Sequence, residues 1–301
     1  MTTRDKTRCA MIAVVGAPNA GKSTLVNKLA GAKVSIVSPK VQTTRMRVIG
    51  VRVVDDAQLV FIDTPGIFAP KKRLERAMVK AAWGGAEDAD EVVLVVDATH
   101  RISDDTRQIV EGLKSSGRVA ILALNKVDIA RKDRLLALAK ELNEIGNFSD
   151  TFMISAENGD GVDDVQNALV ARAPEGPWLY PEDQLSDLND RLFASEVTRE
   201  QLFLKLRQEV PYALAVDTVE WEEFENGALR IRQEVLVERD SQRAIVIGKG
   251  GAMLKAVGQA ARQELERQLG RRVHLFIDVV VKKGWSEERE RYASWGLDYE
   301  A

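Results

Sequence analysis

Cysteine and histidine are almost missing from this chain. With Cys9 as its single cysteine it can form no internal disulfide, and its two histidines, His100 and His274, are far apart in sequence. A zinc site of the Cys/His type and a Cys–His nucleophilic pair on ordinary spacing are thereby excluded. Long apolar runs are missing too. The longest, Val92–Val96 and Val119–Leu124, have the length of buried parallel strands and fall far short of the roughly 18 residues of a membrane span. The start, MTTRDKTRCAMIAVVGA, places basic residues ahead of an apolar run, as a leader would. That run flows directly into a glycine-rich turn that needs a strand before it, so it is read as a strand. There is no large excess of charge of one sign: 43 basic residues face 46 acidic ones, a net charge of −3. Any nucleic-acid binding therefore requires positive charge concentrated locally.

What remains is the composition of a globular protein long enough, at 301 residues, for two domains. Through residues 10–170 short apolar runs alternate with amphipathic stretches. The runs are Met11–Val15, Val48–Val54, Leu59–Ile62, Val92–Val96, Val119–Leu124 and Thr151–Ile154. Helices are expected over Ser23–Leu29, Leu74–Trp83, Asp104–Lys114, Arg134–Ile145 and Val162–Ala171. Such alternation predicts an α/β fold: a mainly parallel sheet with helices on both faces. Three prolines and a glycine crowd Pro174–Pro181, which reads as an ordered linker or domain edge. Beyond it the pattern changes to a helix over Asp190–Glu209, strands over Ala213–Glu220 and Leu229–Glu238 joined by an Asn226-Gly227 hairpin signal, a glycine turn, a helix over Ala252–Leu269 and a strand over Val273–Val281. The expected division is 8–176, a linker at 177–190, and a smaller α+β domain at 191–298.

Four segments in the first half sit at strand ends and carry phosphate or base chemistry. Gly16-Ala17-Pro18-Asn19-Ala20-Gly21-Lys22-Ser23, followed by Thr24, fits G-x-x-x-x-G-K-[ST] between a strand and a helix. Its backbone N–H groups and the helix N-terminus suit phosphate oxygens; Lys22 would reach the β- and γ-phosphates and the Ser23 hydroxyl would ligate Mg²⁺. Asp63-Thr64-Pro65-Gly66 ends the strand Leu59–Ile62, bringing Asp63 to the metal and the Gly66 N–H to the γ-phosphate. Asn125-Lys126-Val127-Asp128 follows the strand Val119–Leu124. A carboxylate at Asp128 accepts from N1–H and N2–H₂ of guanine, a donor pair adenine lacks, while Lys126 lies over the base and Asn125 ties the loop to the phosphate turn. Ser155-Ala156 is expected to present a backbone N–H to guanine O6. Between the first helix and the next strand, Thr44 is preferred over Thr43 as a hydroxyl that joins Mg²⁺ only when the γ-phosphate is present. Lys22, Thr44 and Gly66 are the expected catalytic groups.

The Asn19-Ala-Gly-Lys-Ser23 form of the phosphate turn, Gln42-Thr-Thr-Arg45 and Asp63-Thr-Pro-Gly66 resemble the translation-factor-like GTPases, in particular the Era-like branch. One departure is Val41, where many relatives carry proline. The resemblance implies a GTP/GDP- and Mg²⁺-dependent GTPase, with Asn19 at the position where related enzymes hold K⁺. Many GTPases place a glutamine directly after Asp-x-x-Gly to orient the attacking water. Ile67 stands there and can neither donate nor accept, so slow intrinsic turnover is expected.

In the second half, Ile247-Gly248-Lys249-Gly250-Gly251 has the G-x-x-G loop of KH domains, which clamps four nucleotides of single-stranded RNA. From Arg243 to Lys283 nine basic residues face three acidic ones, a local excess of six. Lys249, Lys255, Arg262, Lys282 and Lys283 are the expected RNA contacts, with bases lying between the loop-flanking helix and the apolar middle strand (Ile231, Val235, Val237). The element order resembles the type II KH arrangement, and the resemblance to Era-like GTPases then runs from residue 8 to 298, including Lys282-Lys-Gly-Trp-Ser286. It implies binding near the 3′ end of small-subunit ribosomal RNA and to the 30S precursor; separately, a cytoplasmic protein is expected that contacts no DNA and that nothing in the sequence requires to be more than a monomer. Two alternatives stand beside it: an RNA-binding assembly factor with GTP as a structural ligand, and a GTPase whose basic face meets the anionic inner membrane.

Overall fold

The computed structural model describes residues 7–207 and 210–301. The first six residues of the leader-like start, and the last two residues of the helix expected to reach Glu209, lie outside those described.

Six strands form the first sheet: β1 (Arg8–Val15), β2 (Val48–Val54), β3 (Ala57–Asp63), β4 (Glu91–Asp97), β5 (Ala120–Asn125) and β6 (Phe148–Met153), in the order β2-β3-β1-β4-β5-β6. All pairings are parallel except β2 with β3, a tight antiparallel pair. The inner strands are continuous Val/Ile/Leu/Ala runs because both faces are covered; every residue of β3 and β5 is buried. One face meets α1 (Lys22–Ala30) and α5 (Val162–Arg172). The other packs Ala13, Leu94, Leu122 and Leu124 against Ala82 and Ala86 of α2 (Arg73–Asp88), Ile109 and Leu113 of α3 (Asp104–Ser115), and Leu138 and Leu142 of α4 (Lys132–Ile145). Parallel strands separated by crossover helices bring the carboxyl ends of β1, β3, β4 and β5 to one edge, where ligands bind in open α/β sheets.

The chain divides into two compact units, and the division is not the contiguous one expected from sequence. The first unit holds residues up to Ser35, Thr44–Asp187 and Tyr292–Ala301; the second holds Ile36–Thr43 and Leu188–Arg291. Residues 177–187 are no free linker. The Gln58 side chain accepts from the Leu179 and Tyr180 N–H groups and donates to the Tyr180 carbonyl; Val51 N–H donates to Leu185 O, and Ile49 N–H to the Asp187 carboxylate. The segment thus covers the edge strand β2, which would otherwise present unpaired backbone groups. The closing residues seat Tyr292 and Leu297 on Ala77 and Met78 of α2.

The second unit is built on β7 (Leu214–Glu223), β8 (Leu229–Val237) and β9 (Val273–Val281), ordered β7-β8-β9, with β7–β8 antiparallel and β8–β9 parallel. Gly227 takes φ +78° in the hairpin. Helices α6 (Asp190–Lys205), α7 (Asp240–Ile247) and α8 (Ala252–Leu269) cover one face. Helix α6 is shorter than expected because Leu206 is already extended. Neither α7 nor a last short helix, α9 (Arg289–Ser294), was visible in the periodicity. The chain therefore joins a mainly parallel α/β sheet to a smaller α+β unit.

Candidate functional site: a phosphate turn and a glycine-loop groove

The turn after β1 wraps into α1. Gly21 is its helix N-cap at φ +97°, and a Cβ there would meet the Asn125 amide nitrogen at 2.1 Å, so only glycine allows that approach. Lys22 is 6% exposed and donates to the carbonyls of Gly16 (3.1 Å) and Ala17 (3.0 Å). Burial pulls its pKa down to about 8, against the opposing charge of Asp63. An ammonium curled onto its own loop and desolvated this far is poised for an anion.

Beside it, Ser23 Oγ lies 2.8 Å from Thr44 Oγ1 and donates to Asp63 Oδ2 at 2.7 Å; Thr44 donates to the same oxygen at 3.2 Å. The structure thus brings together Ser23, Thr44 and Asp63, which lie 40 residues apart in sequence at the extremes. Asp63 is fully buried, which raises its pKa against the Ser23 hydrogen bond and the Lys22 charge, and its Oδ1 accepts no hydrogen bond among the described residues. Two hydroxyls and one carboxylate with an orphaned oxygen are a hard oxygen set that fits Mg²⁺. Thr43 is directed elsewhere: its hydroxyl donates to Lys40 O (2.8 Å) and its carbonyl accepts from Arg199 (2.5 Å).

On the base side, Asn125 bridges two loops. Its amide nitrogen donates to Ala20 O at 2.8 Å and its oxygen accepts from Ala156 N–H at 2.9 Å. Lys126, at φ +67°, donates to Asn19 O (2.8 Å) and to Asp97 Oδ2 (2.6 Å). Asp128 is exposed. Ser155 N–H donates to Asp160 O, and Ala156 N–H donates to the Asn125 side chain. The Thr64 hydroxyl donates to Val14 O and braces the strand end. Pro65 and Gly66 are buried, and Thr24 is partly buried on α1. Ile67 is 4% exposed, its side chain packs in the core with Ala13 and Leu94, and its N–H donates to Gly16 O. The sequence reading missed Asp97 and Thr99, whose one signal is an Asp-x-Thr ending a buried strand.

In the second unit, Gly248, Gly250 and Gly251 all take positive φ (+73°, +59°, +78°) between α7 and α8, turning the loop into the N-terminus of α8. Ile247 packs into the core behind it. A groove of about 540 Å³ runs from Gly251 along Leu254, Lys255, Gly258, Gln259 and Arg262 of α8 to Leu275 and Ile277 of β9. This corrects the expected groove wall. Strand β8 is the middle strand, so Ile231, Val235 and Val237 are wholly buried, and the edge strand β9 supplies the apolar wall. Lys249, Lys255 and Arg262 are exposed. Lys283 is exposed too, whereas Lys282 is paired to Glu288 at 2.5 Å, Arg267 to Glu264 and Arg271 to Glu223.

Residues 11–126 match the family described as 50S ribosome-binding GTPase, and residues 209–286 match the KH domain family. The chain is 52% identical over 312 residues to GTPase Era of Caulobacter vibrioides, covering 99% of each, and 54% identical over 293 residues to GTPase Era of Sinorhizobium medicae, covering 97% of this chain and 94% of that one. Its structure is similar (TM-score 0.91, 38% identity, 96% of this chain and 99% of the other) to a crystal structure of Era in complex with MgGDPNP and nucleotides 1506–1542 of 16S ribosomal RNA. It is similar to the same extent of chain, at TM-score 0.90, to Aquifex aeolicus Era bound to GDP·AlF₄⁻.

Proposed function

The chain belongs to the Era family of GTPases, and from that membership we propose that it is a GTP-hydrolysing switch that binds the 3′ end of small-subunit ribosomal RNA and assists small-subunit maturation. The observation that carries the RNA half is the groove: two exposed cations, Lys255 and Arg262, face an apolar strand edge, and a third, Lys249, stands exposed in the adjoining glycine loop, in a chain of net charge −3. Such a groove can hold the phosphates of a single strand on its cations and the bases on its apolar wall.

In this reading Lys22 and the turn Gly16–Thr24 bind the phosphates, and Ser23, Thr44 and Asp63 hold Mg²⁺, whose charge offsets that of the nucleotide. Gly66 offers its N–H toward the γ-phosphate, and Asp128 reads the guanine edge. Asn19 is the candidate ligand for K⁺. Ile67 leaves the attacking water without a side-chain partner, so unassisted turnover is slow. A basal rate on the order of 1 s⁻¹ would overturn that, and equal rates in sodium and potassium buffers would remove K⁺. Asp128→Asn should weaken GTP by about tenfold or more, the worth of one charge-assisted hydrogen bond; unchanged affinity would refute base reading.

We place the protein in the cytoplasm as a monomer, with no helix among the described residues long and apolar enough to cross a membrane. The deciding experiment is fluorescence anisotropy with a short RNA copying the 3′ end of small-subunit ribosomal RNA, titrated with protein loaded with a GTP analogue or GDP at one salt concentration. Tighter binding in the GTP state supports the switch. Equal binding favours an RNA-binding factor with GTP as structural ligand. Sedimentation with anionic vesicles that RNA fails to compete away favours the membrane surface.

A further inference from the structure

Lys126 of the Asn-Lys-x-Asp segment does not stand free beside the nucleotide. Its ammonium is strung between the Asn19 carbonyl of the phosphate turn (2.8 Å) and Asp97 Oδ2 (2.6 Å). The carboxylate is itself fixed. Asp97 Oδ1 accepts from both the Thr99 N–H (2.9 Å) and the Thr99 hydroxyl (2.6 Å). The backbone supports the same joint: Asp97, the last residue of β4, is in register with Asn125, the last of β5, and Ala98 N–H donates to Asn125 O. Lys126 leaves that strand end at φ +67°, a conformation unfavourable for a non-glycine residue that persists where the surroundings hold it.

We propose that Asp97, braced by Thr99, is a positioning residue for guanine-nucleotide binding: it holds the Lys126 ammonium across the phosphate turn and so fixes both the base-reading loop and Asn19. The inference rests on the guanine-nucleotide reading of this site. Two consequences follow from the chemistry. The Lys126 charge is already balanced by Asp97, so the lysine works as a strut and as a stem lying on the base rather than as a cation added to the phosphates. The strut joins three chain segments, the end of β4, the start of the 126–128 loop and the turn at Asn19, so losing it should speed nucleotide release rather than alter the chemical step.

The test uses the full chain and a fluorescent GDP. Asp97→Asn keeps the shape and the acceptor for Thr99 but removes the charge that holds Lys126. Its GDP dissociation rate should rise about tenfold, and the KM for GTP should rise with kcat little changed. Lys126→Met should do the same, and the double variant should be no worse than Lys126→Met alone, because both remove one strut. Thr99→Val should produce a smaller rise. Unchanged release from Asp97→Asn, or losses that multiply in the double variant, overturn the inference while leaving the wild type's GDP binding, and with it the nucleotide site, intact. A wild type that fails to bind GDP overturns both. Should Asp97→Asn lower the melting temperature, Asp97→Glu, which restores the charge, must recover slow release if the proposal is correct.

Discussion

Both halves of the molecule carry cations at or beside glycine turns, and the two treat those cations oppositely. Lys22 is buried, bonded to two carbonyls of its own loop and pulled down to about 8. Around it Ser23, Thr44 and Asp63 are already joined to one another, Lys126 to Asp97, and Asn125 to Ala20 of the turn. Lys255 and Arg262 stand exposed along an open groove, and Lys249 stands exposed in the glycine loop that leads into it. A buried cation costs free energy until its anion arrives, and then binds strongly in a medium of low effective dielectric. Exposed cations cost nothing while empty and gain little individually, so affinity there grows with the number of phosphates met and falls with salt. The first arrangement suits one small ligand held at one geometry; the second suits a flexible polymer.

The largest break in this contrast is Lys22→Ala. On the proposed reading the side chain would give charge-assisted hydrogen bonds to phosphate worth about 1.5–3 kcal/mol each, and losing two of them should weaken nucleotide at least about a hundredfold. Circular dichroism should show the fold intact, since the side chain serves the loop and not the apolar core. A variant that binds GDP within tenfold of wild type would show that the turn, not its lysine, carries the affinity.

The cost of the buried ammonium can be read without ligand. In the folded, nucleotide-free protein Lys22 gives up its proton near pH 8, whereas the unfolded chain holds it to about 10.5. Between those values the unfolded state binds more protons, so wild-type stability rises with pH through that window. Below pH 8 the full penalty is present, on the order of 3 kcal/mol for a shift of this size. Lys22→Met should therefore melt higher than wild type at pH 7 without nucleotide, and the advantage should shrink as pH rises from 8 toward 10.5. An advantage independent of pH would assign the gain to packing instead.

The same contrast governs what could be read from sequence. The motifs of the buried site are legible because each is a short local string at the end of an apolar strand: Gly16–Ser23, Asp63–Gly66 and Asn125–Asp128 all sit where alternation of strands and helices puts them. Helix α8 and strand β9 are likewise local, and their expected bounds, 252–269 and 273–281, are those observed. Features that depend on which strands are neighbours are not legible. The groove wall is β9 rather than β8 because β8 is the middle strand of its sheet, a matter of pairing between Leu229–Val237 and strands on either side. Asp97 reaches Lys126 because β4 and β5 end in register, 29 residues apart. The division of Thr43 from Thr44 between two units, and the return of Tyr292–Ala301 to the first, follow from contacts that no periodicity encodes. Helix α7 escaped notice because it is eight residues long with one fully buried side chain, Val246.

A smaller effect is expected in the open groove. Gly250 takes φ +59° and no atom lies within 4 Å of a Cβ built there, so Gly250→Asp should fold. On the proposed reading it adds a carboxylate beside the RNA phosphates, and it strains a loop whose neighbours are also at positive φ. RNA should bind about tenfold more weakly, roughly the worth of one unfavourable contact of 1.4 kcal/mol, with GDP affinity unchanged. Loss of both would mean that the two halves do not bind independently; normal RNA binding would remove the loop from the interface.

The finest test uses two residues of one helix. Lys255 and Arg267 both lie on α8 and are both exposed, but Lys255 lines the groove and Arg267 is bonded to both oxygens of Glu264, at 2.8 and 2.6 Å. Either change to alanine removes one positive charge. If RNA responds only to net charge, the two variants should weaken binding equally. If it responds to cations held at the groove, Lys255→Ala should cost about three- to tenfold and reduce the slope of log affinity against log salt by about 0.7, the value for one single-strand phosphate contact. Arg267→Ala should cost less than about twofold and leave the slope unchanged, because its charge is already spent on Glu264. Anisotropy titrations at four salt concentrations separate these outcomes. Equal slopes for the two variants would show that the groove residues attract RNA at a distance without touching it, and that the exposed half of the molecule has no counterpart to the fixed partners of Lys22.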